Sequence, residues 1–189
     1  MSMNTQTKLK IKSALELILT ENIVNVSRGL KELEKNADVS IIEILVGIIA
    51  SSSNREIKKE ILTFLSNVID PLSPSLLIRF IQEEKYAVIR QELLTVIWNS
   101  KLDYSPFIAE FVEIAIEGNF MIALECLTVL ENLTGPFEEH QLLEAHLHLR
   151  EYISSDRTME DDQKTTIISE IALFIREQKE QEEIDLPLE

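Results

Sequence analysis

The residues best suited to metal binding or acid–base chemistry lie in one short segment. All three histidines of the chain, His140, His146 and His148, fall within it. Together with Glu144, His140 and His148 recur at intervals of four residues, which places them on one face of a helix. Two turns of helix separate His140 from His148, about 12 Å along the axis, so they cannot share one metal ion. The spacing predicts a solvated face without a metal, and places His146 on the buried face.

Cys126 is the only cysteine of the chain. A single cysteine excludes an internal disulfide and is typical of a reducing compartment. Because Cys126 aligns with the apolar residues Ile61 and Leu93 in the repeat described below, we expect a buried, unreactive thiol. The sequence has no glycine-rich phosphate loop, and its clustered histidines do not suit a Ser/His/Asp arrangement. We therefore predict no catalytic residue, no cofactor and no enzymatic activity.

Composition and charge restrict the class of protein and partner. The chain has 189 residues, of which 45% are hydrophobic and 27% are charged, as in ordinary soluble globular proteins. It has 33 acidic and 18 basic residues, a formal net charge of −15, which repels nucleic acids and attracts basic proteins. No basic-then-apolar leader opens the chain, and its longest apolar stretch, 41–50, is too short to span a bilayer. We expect a cytoplasmic protein.

Three segments with the same polar residues recur along the chain. They begin 32 and 33 residues apart, and a weaker copy one period earlier has Gly29 in the place of Ile61. Each reads Glu-x-x-Thr-x-x-x-Asn, and the three copies are 60–67, 92–99 and 125–132. A fixed period of this length is typical of helical repeat proteins.

Signals for helix starts share this period. Asn22, Asn54 and Asn119 each lie six residues before a copy, where an asparagine N-cap satisfies free backbone amides. Tyr86 stands in this position in the third copy, and the sequence does not explain it. Because proline at the first helical position costs no hydrogen bond, three further pairs predict helix starts. They are Ser73-Pro74, Ser105-Pro106 and Gly135-Pro136.

The combined signals predict ten helices in five hairpins and no strand. We expect one domain over 1–180 and a flexible acidic tail over 181–189. Two of the predicted helices have a single narrow polar stripe, so neighbouring hairpins must cover them; they are 39–50 and 106–117. The predicted hairpins are 6–19 with 22–36, 39–50 with 54–69, 74–84 with 86–101, 106–117 with 119–134, and 137–153 with 159–180.

Helix pairs with this period, proline near the first helix and a cap before the second resemble HEAT repeats. The resemblance covers roughly 22–134. It implies an all-α fold, a right-handed α-solenoid of about five antiparallel helical hairpins of the armadillo type. The last hairpin departs from the pattern. Its nearest match to the repeated segment begins 45 residues after Glu125, and we interpret 154–163 as an inserted loop.

In HEAT-like solenoids the second helix of each hairpin usually lines the face that binds partners. The resemblance therefore implies that the polar rows form a ligand surface, with Trp98 as a partly exposed anchor. The alternatives are that the rows are merely solvated and that Trp98 covers a joint between hairpins. The predicted partner-binding residues are Glu60, Thr63, Asn67, Glu92, Thr95, Trp98, Asn99, Glu125, Thr128 and Asn132.

We expect a protein-interaction scaffold that binds a basic protein or peptide and neither nucleic acid nor membrane. An enzyme similar to the HEAT-like DNA-base glycosylases or bilin lyases is one alternative, and a structural homo-oligomer is another. A glycosylase needs a basic groove, against which the net charge of −15 argues. A lyase needs acid and base groups in a pocket, and the sequence singles out none.

Overall fold

The structure, a computed structural model, describes residues 5–36, 39–155 and 162–185. Within these ranges the chain is all-α and contains no strand, and each predicted helix corresponds to an observed one. Two short 3-10 segments, Glu84–Ile89 and Ser105–Phe107, precede the sixth and seventh helices. The helices are α1 (Thr5–Ile18), α2 (Ile23–Asn36), α3 (Ile41–Ser51), α4 (Arg55–Ser66), α5 (Ser73–Gln82), α6 (Arg90–Trp98), α7 (Ile108–Glu117), α8 (Phe120–Asn132), α9 (Glu139–Ser154) and α10 (Asp162–Asp185).

The predicted asparagine N-caps are confirmed. The side-chain oxygens of Asn22, Asn54 and Asn119 accept hydrogen bonds from backbone N–H groups two or three residues later, at 3.0 to 3.3 Å. Tyr86 replaces this cap because the third copy begins with a 3-10 segment. Its ring is buried and packs edge-on against Phe80, with 5.4 Å between the ring centroids.

Two of the three proline pairs lie where a helical segment begins, and the third does not. Ser73-Pro74 begins α5, and Ser105-Pro106 begins the 3-10 segment that leads into α7. The prediction for Gly135-Pro136 is wrong, because α9 begins only after Glu138. There the backbone N–H of Glu138 donates to the side-chain oxygen of Gln141 at 3.2 Å, so a polar cap starts this helix.

The chain divides into two compact units, and the boundary falls inside α5. The first comprises Met1–Leu77 and Asn99–Lys101, and the second comprises Ile78–Trp98 and Leu102–Glu189. In the first unit α2 packs on α1 and α4, and α3 packs on α4. In the second unit α8 packs on α6, α7 and α10, and α9 packs on α7 and α10. Within each unit, the second members of the predicted hairpins pack against one another. We call these the second helices: α2, α4, α6, α8 and α10.

The centre of the second unit is α7. All its residues outside the predicted polar stripe are buried or half-buried, beneath α8, α9 and α10, as predicted for a helix that neighbours must cover. Within the stripe, Glu110 and Glu113 are half-buried and Glu117 is exposed. For α3 the same prediction is wrong at Ile44, which is 42% exposed.

Gly29 stands where the next copy of the repeat has Ile61, and the reason is steric. A Cβ atom at Gly29 would lie 2.6 Å from the backbone oxygen of Ala14 and 2.8 Å from Cγ1 of Ile18. Both of these residues belong to α1. The close approach of α1 and α2 therefore excludes the larger side chain that Ile61 supplies in the next copy.

The last helix extends beyond its predicted end. α10 continues to Asp185, within the segment 181–189 that was predicted to be a flexible tail. Residues 186–189 and most of the predicted loop 154–163 lie outside the described residues. The assignment of 1–180 to one domain and 181–189 to a tail stays a prediction.

Candidate functional site

The predicted partner-binding residues lie on α4, α6 and α8 or directly after these helices. On α4 and at its end the three predicted residues are exposed: Glu60, Thr63 and Asn67. Four residues of α6 and α8 are half-buried, because these two helices pack against each other: Glu92, Thr95, Glu125 and Thr128. Trp98, Asn99 and Asn132 are exposed. The structure thus brings these four half-buried residues together in the second unit, whereas the α4 residues and Asn99 belong to the first.

The Asn and Thr rows form hydrogen bonds within their own helices. Asn67 and Asn132 donate from Nδ2 to the backbone oxygens of Thr63 and Thr128, at 2.8 and 2.7 Å. These bonds lie near helix ends, where backbone carbonyls lack intrahelical donors. The hydroxyls of Thr95 and Thr128 each donate to the carbonyl four residues earlier, at 3.1 and 2.9 Å. Four of the six Asn and Thr residues therefore have a structural role that needs no ligand, and partner binding by the rows stays a prediction.

The Glu row connects successive second helices. Ser27 of α2 donates to the carboxylate of Glu60 on α4 at 3.3 Å, and Gln91 of α6 donates to that of Glu125 on α8 at 3.2 Å. Ser27 and Gln91 occupy the same place in the repeat, one residue before the Glu position. Neither residue was predicted from the sequence, although both have side chains that can form hydrogen bonds at this place in the repeat.

A cleft of about 460 Å³ opens beside α6 and the start of α8, and we call it the polar cleft. It contains Glu92 and Thr95 of the predicted surface. Glu92 forms no ion pair with any residue that the structure describes, and Val88 adds an apolar side chain that is 78% exposed. A carboxylate beside a hydroxyl and an apolar group suits a lysine or arginine side chain of a peptide. The lining residues are Ala87, Val88, Gln91, Glu92, Thr95, Asn119 and Ile122.

Trp98 is the last residue of α6 and is 43% exposed. Its partial exposure is confirmed. However, Trp98 is not among the residues that line the polar cleft, so the structure does not join it to Glu92 and Thr95 in one cavity. Its role as an anchor stays a prediction.

All three histidines lie on α9. His140 is exposed and its Nδ1 lies 3.2 Å from a carboxylate oxygen of Glu138. Within the described ranges, no group of three or more His, Cys, Asp or Glu residues could hold a metal. The prediction for His146 is wrong: it is exposed, and His148 is half-buried. The buried stripe of α9 passes beside His146, through Leu142, Ala145, Leu149 and Tyr152.

Two ionisable groups of the second unit have raised pKa values because of burial. Burial is the main cause for Glu110, and the carboxylates of Glu144 and Glu113 raise its pKa further. A backbone hydrogen bond and His148 oppose this shift. Glu110 does not line the polar cleft, so its pKa reports packing between α7 and α9. Cys126 is completely buried as predicted, and burial raises the pKa of its thiol.

Comparison with known protein families, curated proteins and solved structures gives no significant match to this chain. None of the helices in the described ranges is both long and apolar enough to cross a membrane.

Proposed function

We propose that this protein is a non-catalytic interaction scaffold that binds a basic protein or peptide at the polar cleft. The observation that carries the proposal is the carboxylate of Glu92. It is half-buried, has no ion pair among the described residues, and shares the cleft with Thr95 and the exposed Val88. A charged hydrogen bond from lysine or arginine would satisfy it. The net charge of −15 adds long-range attraction for such a partner.

The asparagine rows fit a partner that supplies hydrogen-bond donors. Asn67 and Asn132 already use an amide N–H of their own side chains on their helices. Within the described ranges no hydrogen bond reaches the side-chain oxygen of either residue. An acceptor is therefore left for a ligand, and lysine and arginine side chains are donors only.

We further propose that the helices form a right-handed α-solenoid of the HEAT, armadillo-like type, in a cytoplasmic protein that binds neither nucleic acid nor membrane. The packing within each unit supports this architecture. Second helices pack on second helices, as α6 does on α8, and α7 packs on α9, the first helix of the next hairpin. The repeated asparagine caps support it as well.

Selection of peptides from a random displayed library against the full chain tests the binding proposal. We expect the selected peptides to be rich in lysine and arginine. In calorimetric titrations, Glu92→Gln should weaken peptide binding by about 0.5–1.5 kcal/mol, the net value of a hydrogen bond. Glu117→Gln is the matched control, because it removes one exposed carboxylate outside the cleft.

Two outcomes would contradict the proposal. One is a selection that yields no peptides rich in lysine and arginine. The other is an affinity that Glu92→Gln lowers no more than Glu117→Gln does, which would reduce the role of Glu92 to general electrostatics.

A further inference from the structure

A larger groove lies between α9 and α10, at the end of the second unit, and we call it the terminal groove. Its volume is about 790 Å³. Its lining extends from His146 to Ser154 on α9 and from Thr165 to Lys179 on α10. At the helical rise per residue, these spans are about 12 Å and about 21 Å long. The groove is therefore elongated along two helices.

The floor of the terminal groove is apolar. The buried side chains of Leu149, Tyr152, Ile168 and Ile175 contribute to its lining. At its rim Ile153 is 63% exposed and Leu173 is 39% exposed. The lining hydroxyls of Ser154 and Ser169 donate to carbonyls of their own helices. An exposed apolar surface of this kind marks an interaction site.

The charge of the terminal groove is opposite to that of the chain. Among the described residues that line it, the charged ones are Arg150, Arg176 and Lys179, His146 also contributes, and none is a carboxylate. The chain as a whole has 33 acidic and 18 basic residues. Arg150 and Lys179 form no ion pair with any side chain that the structure describes. Two cations at an apolar rim are thus available to an anionic ligand.

We propose that the terminal groove binds an acidic amphipathic helix of a partner protein. The apolar face of that helix fills the floor, and its carboxylates pair with Arg150 and Lys179. Helices recognised in grooves place apolar residues at intervals of three and four, and about 8–14 helical residues span the length of this groove. A concave groove fits the ridge of a helix, whereas a membrane surface is flat. This site differs from the polar cleft in position and in the sign of its charge.

The test uses the full chain and two fluorescent peptides of about 14 residues, a length that spans the groove. Both have leucine and isoleucine at helical spacing, and the remaining positions are glutamate in one and glutamine in the other, because a lysine peptide would also bind the polar cleft. Fluorescence anisotropy should show binding of the acidic peptide, and weaker binding at higher salt. The glutamine peptide should bind at least about tenfold more weakly.

Substitutions then locate the acidic peptide. Arg150→Glu combined with Lys179→Glu should weaken its binding at least about tenfold, and so should Ile153→Ser. The matched controls carry the same changes on exposed residues of the first unit and should leave binding unchanged; they are Arg55→Glu combined with Lys59→Glu, and Val24→Ser. Melting temperatures of all variants distinguish lost binding from lost folding.

Several results would overturn the proposal. Equal binding of the two peptides would remove the role of charge, and binding that Ile153→Ser leaves unchanged would place the peptide elsewhere. A dimer in sedimentation that Ile153→Ser dissociates would assign the groove to a second copy of the chain. Binding of anionic lipid vesicles without binding of the acidic peptide would assign it to a membrane. Because Glu92 does not line this groove, failure here leaves the proposal for the polar cleft unaffected.

Discussion

Gln91 on α6 donates a hydrogen bond from its side-chain nitrogen to the carboxylate of Glu125 on α8, at 3.2 Å. The bond is partly buried and joins two helices that occupy the same place in successive hairpins. Ser27 and Glu60 form the equivalent bond between α2 and α4. Second helices are therefore joined by a repeated polar contact as well as by apolar packing.

A double-mutant cycle measures this contact. Gln91→Ala and Glu125→Ala should show a coupling of about 0.5–1.5 kcal/mol in the free energy of unfolding, the net value of a hydrogen bond. Urea denaturation of the four proteins gives the value. As a control, the effects of Gln91→Ala and Glu131→Ala on the free energy of unfolding should be additive. Glu131 is an exposed residue of α8, the helix that contains Glu125. Additivity in both cycles would mean that the bond contributes nothing to stability.

Replacement of two helical glycines by alanine should change the free energy of unfolding in opposite directions. Gly29→Ala should lower the free energy of unfolding by about 1–3 kcal/mol, because the added Cβ meets α1 and overpacks the contact. Gly47 lies in α3 with nothing within 4 Å of an added Cβ. There alanine should raise stability by about 0.5–1 kcal/mol through its better helix propensity. Urea denaturation compares the two, and a stable Gly29→Ala variant would contradict the close approach of α1 and α2.

Cys126 should not react with thiol reagents until the protein unfolds. It is completely buried, and burial raises the pKa of its thiol, so the reactive thiolate is scarce at neutral pH. A colorimetric thiol assay with and without denaturant makes the comparison. Ser53→Cys, at an exposed position, should react at once in the folded protein and shows that the reagent works. Rapid reaction of Cys126 itself would contradict the repeat register.

Glu110 should make stability depend on pH. Its pKa is raised in the folded protein, mainly by burial, so its contribution to stability is complete below the pKa of the unfolded chain. That contribution is lost as pH rises through the folded pKa. Glu110→Gln should therefore be more stable than the parent at pH 7, and the difference should vanish in acid. Denaturation at several pH values tests this, with exposed Glu117→Gln as the control; identical pH profiles for Glu110→Gln and the parent would contradict it.

The repeat period was sufficient to predict the helices. Which side chains of a helix are buried depends also on how that helix packs against its neighbours. The asparagine caps depend on local geometry and could be predicted from spacing. The exposure of His146 could not be predicted, because this residue lies between two apolar residues of α9. Only the packing of α9 on α7 and α10 determines that the buried stripe includes Ala145. The terminal groove was missed for a related reason. The period breaks before α10, so the sequence could not place Arg150 beside Lys179.

The position of α9 and α10 as the last hairpin of the proposed solenoid has a consequence for amide hydrogen exchange. Stacked repeats open from their ends, where a hairpin has a neighbour on one side only. Amides of α9 should therefore exchange before those of α7, which three helices cover. A ligand that binds only the closed form stabilises it by mass action. Occupation of the terminal groove would consequently slow exchange along α9, so that ligand binding and local unfolding of the last hairpin become a single linked equilibrium.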